Sequence, residues 1–131
     1  MKTLICVFIT VLLLGLIGCS SNQPKQSYFV NGYYINQNNE KDWSISLTNV
    51  NPNNNQYRLI VKREEMQVSP DGTPNYFYTD QVINFDLASN ETGTYTGSFP
   101  DDSYIFISIS ANLYAASNPN TLLDQITLRN E

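Results

Sequence analysis

Trp43-Ser44-Ile45-Ser46-Leu47-Thr48 alternates an apolar residue with a hydroxyl-bearing one at every step. Successive side chains of a strand point to opposite faces, so Trp43, Ile45 and Leu47 share a side that must be covered, and Ser44, Ser46 and Thr48 face water. Asn51-Pro52-Asn53-Asn54-Asn55 follows, and Asn favours turns because it bonds its own backbone and tolerates positive φ. The same period then resumes in Tyr57-Arg58-Leu59-Ile60-Val61-Lys62-Arg63, with Tyr57, Leu59 and Val61 inward and Arg58 and Lys62 outward. Two alternating runs on either side of a turn cluster predict an antiparallel hairpin.

Working outward, the rest of the chain has the same texture. Tyr28 to Ile35 is aromatic and β-branched, with Gly32 suggesting a bulge or bend, and Asn36 to Lys41 reads as a turn. Ser69-Pro70-Asp71-Gly72-Thr73-Pro74 is a loop, followed by strands at Asn75-Tyr76-Phe77-Tyr78 and Gln81 to Leu87. Ala88 to Gly93 turns into Thr94 to Phe99, where Tyr95, Gly97 and Phe99 are in step, and Pro100-Asp101-Asp102 is a tight turn. In Ser103 to Ser110 the period places Ile105, Ile107 and Ile109 on one face and Tyr104, Phe106 and Ser108 on the other. Ser117-Asn118-Pro119-Asn120 breaks the chain, and Leu122 to Leu128 closes it. Leu113 to Ala116 has room for one helical turn, and no segment supports a longer helix. The expectation is an all-β domain of about eight short antiparallel strands. An up-and-down β-barrel is favoured, because short connections let each strand pair with its predecessor and closure removes exposed edges; a β-sandwich is the alternative.

Ahead of this domain stands a different kind of sequence. Lys2 gives a positive start, and residues 4–17 carry no charge. A run of about 14 residues is too short for a hydrocarbon core, which needs about 20, but it suits the apolar region of a secretory signal, with Gly15 and Gly18 near the cut. Leu16-Ile17-Gly18-Cys19 ends the run, and polar Ser20-Ser21-Asn22-Gln23 follows at once. This N-terminus resembles the lipobox signal of bacterial lipoproteins. The resemblance implies a diacylglyceryl group on the Cys19 thiol, cleavage just before Cys19 and, in many members, a third acyl chain on the new amino group. Two or more chains hold a protein stably on a membrane. The implied location is the bacterial cell envelope, and Ser20, where an Asp would favour inner-membrane retention, points to the outer membrane if the host has two. Residues 1–18 are thus read as signal peptide, 19–27 as lipidated Cys19 and flexible tether, and 28–131 as a single all-β domain.

Composition narrows the chemistry. Twelve acidic residues against seven basic give a net charge of −5, which argues against nucleic acid, whose affinity comes largely from Lys and Arg on phosphate. Cys6 leaves with the signal and Cys19 is committed to lipid, so the domain holds no disulfide and rests on packing alone. Histidine is absent, which removes the usual general base and the commonest metal ligand. A Ser–Lys pair lacks a suitable lysine: Lys25 lies in the tether, Lys41 in a turn and Lys62 on an outward face. Glu64-Glu65 point to opposite faces of a strand, Asp101-Asp102 suit turn chemistry, and Asp80 with Asp86 completes the carboxylate pairs available. Asn38-Asn39-Glu40-Lys41-Asp42 offers oxygens in no recognised calcium spacing. No catalytic residue, metal site or cofactor is expected.

The tyrosines remain. Tyr is a good strand former, but an outward Tyr is also a binding anchor, offering area and a hydroxyl at low entropic cost. Tyr33, Tyr34, Trp43, Tyr76, Tyr78 and Tyr104 are the candidate binding residues. The expectation is a non-enzymatic binding or interaction domain, held to the membrane through Cys19 and meeting a protein or small-molecule partner. The alternative is an inhibitor of an envelope-directed hydrolase such as a lysozyme or protease, with Asp101-Asp102 as an acidic plug.

Overall fold

A computed structural model describes residues 26–131, so the signal, the lipobox with Cys19 and most of the expected tether lie outside the described residues. The described chain forms eight strands: β1 (Tyr28–Gln37), β2 (Glu40–Thr48), β3 (Gln56–Val68), β4 (Pro74–Asp86), β5 (Thr92–Pro100), β6 (Ile105–Ala115), β7 (Asn118–Thr127) and β8 (Arg129–Asn130). They make two four-stranded sheets, β5-β2-β1-β8 and β4-β3-β6-β7, with the core between them. The all-β reading holds, but the favoured barrel is corrected: the sheets do not close, and the arrangement is that of a sandwich. One pairing also departs from the antiparallel expectation, since β8 lies parallel to β1.

The hairpin expected between 43–48 and 57–63 is the second correction. β2 pairs with β1 and β5, and β3 with β4 and β6, so the two runs lie in opposite sheets and face each other across the core. Alternation identifies a half-buried strand but not its partner; Trp43 and Ile45 pack against Leu59 and Val61 as opposing layers rather than as ladder neighbours.

The first of four crossings between the sheets in the described chain, from β2 to β3, is held by Asn49, which is completely buried. Its Oδ1 accepts from Ser27 Oγ at 2.9 Å, from Tyr57 Oη at 2.6 Å and from the Asn51 amide at 2.8 Å. Its Nδ2 donates to the carbonyls of Leu87 (2.7 Å) and Asn54 (2.9 Å), and its backbone bonds Glu91 and Asn90. Every polar group of the residue is thus satisfied at a point where the chain leaves one sheet for the other. Ser27, the last residue of the expected tether, is itself buried in this network.

Other expectations shift locally. The expected strands 75–78 and 81–87 are one continuous β4, and Leu113 to Ala116 holds no helical turn, being the end of β6 and its exit. The irregularity in β1 falls between Phe29 and Asn31, one step before Gly32. The Asn36–Lys41 turn tightens to Asn38-Asn39, both at positive φ (54° and 60°), as the two-residue turn of a right-twisted hairpin demands. Among the described residues no helix is long and apolar enough to cross a membrane.

At one seam, where β4 and β5 form no ladder, Gln81 stands in for it: its side chain donates to the Ser98 carbonyl (2.6 Å) and accepts from Trp43 Nε1 (2.9 Å). Trp43 can lie there because Gly97 has no Cβ, which would overlap the indole. Replacing Asn49 by Ala would take the side-chain partner from the Leu87 carbonyl and the Asn51 amide, and one hydrogen bond each from Ser27, Tyr57 and the Asn54 carbonyl. Asn49→Ala is expected to lower stability by about 2–4 kcal/mol, read as a lower urea midpoint at unchanged slope.

Candidate binding surface

The most unusual surface of the molecule is produced by one extra residue. β3 pairs with β6 in regular register from Tyr57↔Ala115 to Glu64↔Ser108, but the next pair is Glu65↔Phe106, leaving Ile107 without a partner. A bulge of this kind puts two residues on one strand opposite one on the other and re-aims the side chains beyond it. Ile109 is fully buried on one side of it; on the other, Phe106 turns in, its ring 5.3 Å from that of Tyr34. Ile105 and Ile107 are exposed. The expected sharing of one face by Ile105, Ile107 and Ile109 is therefore corrected, because a strict period of two cannot survive an inserted residue.

Ile105 emerges opposite Met66, which pairs on its other side with Tyr76. This row of three lies on the outer face of the second sheet, beside Val68 at the tip of β3 and Tyr78 in the next row of β4. Tyr76, Tyr78 and Ile105 are each more than half exposed. Tyr78 is oriented rather than loose: its hydroxyl lies 3.2 Å from Glu64 Oε1, and Lys62 Nζ sits 5.4 Å from its ring centre. The neighbouring Glu64 carboxylate pushes the Tyr78 phenol above its ordinary pKa. Ser108 Oγ donates to the other Glu64 oxygen at 3.3 Å. A contiguous patch of aromatic and aliphatic side chains around a held charge is unusual for a free protein surface and is the character of an interface.

The six tyrosine and tryptophan candidates do not meet in one place. Tyr76 and Tyr78 lie on this face. Tyr33 lies on the outer face of the opposite sheet, where it pairs with Ser44. Tyr34 points inward, and Trp43 is core, 2% exposed. Tyr104 stacks on Phe77 at 4.6 Å near the tip of the long β3–β4 hairpin. Met66, Val68 and Ile105 were not singled out from sequence. A signal for the first two was present: the outward positions of β3 run Arg58, Ile60, Lys62 and Glu64 before two apolar residues in succession, Met66 and Val68.

The carboxylates are likewise scattered. Glu64 is outward and Glu65 inward; Asp80 and Asp86 are six residues apart on one strand, about 20 Å. Asp101 pairs with Lys41, and Asp102 with Arg63 at 3.0 Å, so both are committed to internal cations. Arg63 also bonds Glu65 at 3.0 Å and the Pro100 carbonyl, tying the two sheets together at this end. Among the described residues no group of three potential metal-ligating side chains comes together. No family model matches this chain, and neither does any curated protein.

Burial lifts the pKa of Glu65 above the ordinary glutamate value, with Arg63 opposing it. The folded state then holds the Glu65 proton more tightly than the unfolded chain, so its contribution is complete below the unfolded pKa and is lost as pH rises through the folded one. Glu65→Gln cannot titrate. Its unfolding free energy relative to the parent chain is expected to improve as pH is raised from about 4 to 7, measured by urea unfolding at each pH.

Proposed function

We propose that this protein is a lipid-anchored, non-enzymatic binding module of the bacterial envelope, and that it meets a protein partner through the outer face of the second sheet. The observation that carries the reading is the row Tyr76–Met66–Ile105, with Tyr78 and Val68 beside it, brought to the surface by the bulge at Ile107. Aromatic anchors in a patch rimmed by charge are where binding energy concentrates in protein interfaces. Glu64, Lys62 and Asp80 supply that rim, so the patch offers orientation as well as area. The anchor rests on Leu16-Ile17-Gly18-Cys19 and the uncharged run before it. A tether of polar residues behind such an anchor would leave both outer faces of the sandwich free to make contacts.

Two measurements test this. Cells producing the full chain and fed an alkyne-bearing fatty acid are expected to label the protein, and Cys19→Ala is expected to abolish the label; an unmodified Cys19 thiol by mass spectrometry overturns the anchor. A photo-crosslinking phenylalanine analogue at position 76 is expected to give a discrete protein adduct in cells, lost when Ile105→Asp is added. The same analogue at position 94, on the other sheet, is expected to give none. Equal adducts from both positions, or no adduct from position 76, overturn the assignment of this face.

A further inference from the structure

The outer face of the first sheet carries a second feature, independent of the apolar patch. A groove of about 440 Å³ runs over β1, β2 and β5, lined chiefly by Tyr33, Ile35, Asp42, Ser44, Thr96 and Ser98. That volume falls within the range of about 300–1,000 Å³ typical of small-ligand sites. Register explains its make-up. Tyr33 pairs with Ser44 and Ser44 with Thr96; Ile35 pairs with Asp42 and Asp42 with Ser98. These are two parallel rows of three, one repeat of about 6.8 Å apart along the strands. In each row the β1 residue is apolar and the other two are polar. The groove is therefore amphipathic across its width: an aromatic and an aliphatic side chain on one flank, hydroxyls and a carboxylate on the other.

We propose that this groove binds a neutral saccharide. A pyranose ring has the complementary division, with a face of C–H bonds that packs on an aromatic ring and a rim of hydroxyls that both donate and accept. Tyr33 supplies the ring and Ile35 extends the apolar flank. Ser44 and Thr96 supply hydroxyls that donate or accept as needed, Ser98 offers lone pairs, and Asp42 accepts only. The carboxylate is already steered: Asp42 Oδ2 accepts from Gln37 Nε2 at 2.6 Å, using one of about four acceptor positions. Ser98 Oγ donates to Glu40 at 2.8 Å, which leaves its lone pairs for an incoming hydroxyl.

Charge argues against an anionic ligand, and three hydroxyls beside one carboxylate suit a polyol. The lining includes one carboxylate and no lysine or arginine, and Glu40 adds a second negative charge beside it. The chain as a whole carries −5. A phosphorylated or acidic ligand would meet repulsion and no counter-charge, and a purely hydrophobic one would strip water from four polar side chains without replacing their hydrogen bonds. The rest of the face differs from the groove. Further along β2 and β5, Ser46 and Thr94 (2.8 Å) and Thr48 and Thr92 (2.7 Å) pair with each other across the ladder.

The test is titration of the full chain in a zwitterionic detergent with cellotetraose, maltotetraose and N-acetylchitotetraose, and with spermidine as a cationic control, followed by amide NMR shifts. Expected are saturable shifts from at least one oligosaccharide, centred on Tyr33, Ser44 and Thr96. Tyr33→Ala and the near-isosteric Asp42→Asn are each expected to weaken binding by about tenfold or more, while Val82→Ser, at an exposed position on the opposite sheet, leaves it unchanged. Response to spermidine alone, no response to any of the oligosaccharides by folded protein, or binding undiminished by either groove variant overturns the proposal.

Discussion

A single buried side-chain amide holds together the first place at which this chain changes sheets. Asn49 sits where β2 ends and the path to β3 begins, a place that would otherwise put unpaired backbone groups in a dry environment. Its carboxamide receives Ser27, Tyr57 and the Asn51 amide and gives to Leu87 and Asn54. It thereby joins the start of the domain, the inter-sheet loop, the first residue pair of β3 and the turn after β4. An aliphatic residue there would fill the space and satisfy none of these groups. With the crossing secured, β2 and β3 present their apolar sides to each other, and the core follows.

That core is nearly free of polar groups except at its ends. Asn49 and Tyr57 close one end, and Arg63 with Glu65 and Asp102 closes the other. The two outer faces differ sharply. The first sheet shows rows of hydroxyls broken by Tyr33 and Ile35. The second shows charges that give way to Tyr76, Met66 and Ile105 beyond the bulge. One added residue in β6 makes the difference, because it frees Ile105 from the interior and lets Phe106 take the inner position.

Much of this was legible in the residues. Trp43, Ile45, Leu47, Tyr57, Leu59 and Val61 are all buried as their alternation predicts, and the clusters at 51–55 and 69–73 mark loops, whereas the expected break at 117–120 is mostly the start of β7. Pairing was not legible, since the period of a strand says which side is covered and not by what. The barrel expectation failed for that reason: it took sequence neighbours for ladder neighbours. The bulge was hidden for a related one. Ile105, Ile107 and Ile109 read as one unbroken row, and the slip shows only in the pairing with β3, between Glu64 and Glu65. Of the aromatic candidates, Trp43 and Tyr34 went to the interior because Gly97 and Phe106 make room and contacts for them there.

The place of β2 inside its sheet carries a kinetic cost. One neighbour is reached through the two-residue Asn38-Asn39 turn, but the other pairs across spans such as Thr48 to Thr92, 44 residues apart. Closing so long a loop is entropically slow compared with forming the local hairpins β1–β2, β3–β4 and β6–β7. A chain emerging N-terminus first would therefore hold β2 with a bare hydrogen-bonding edge until β5 is available. Such an edge invites pairing between molecules.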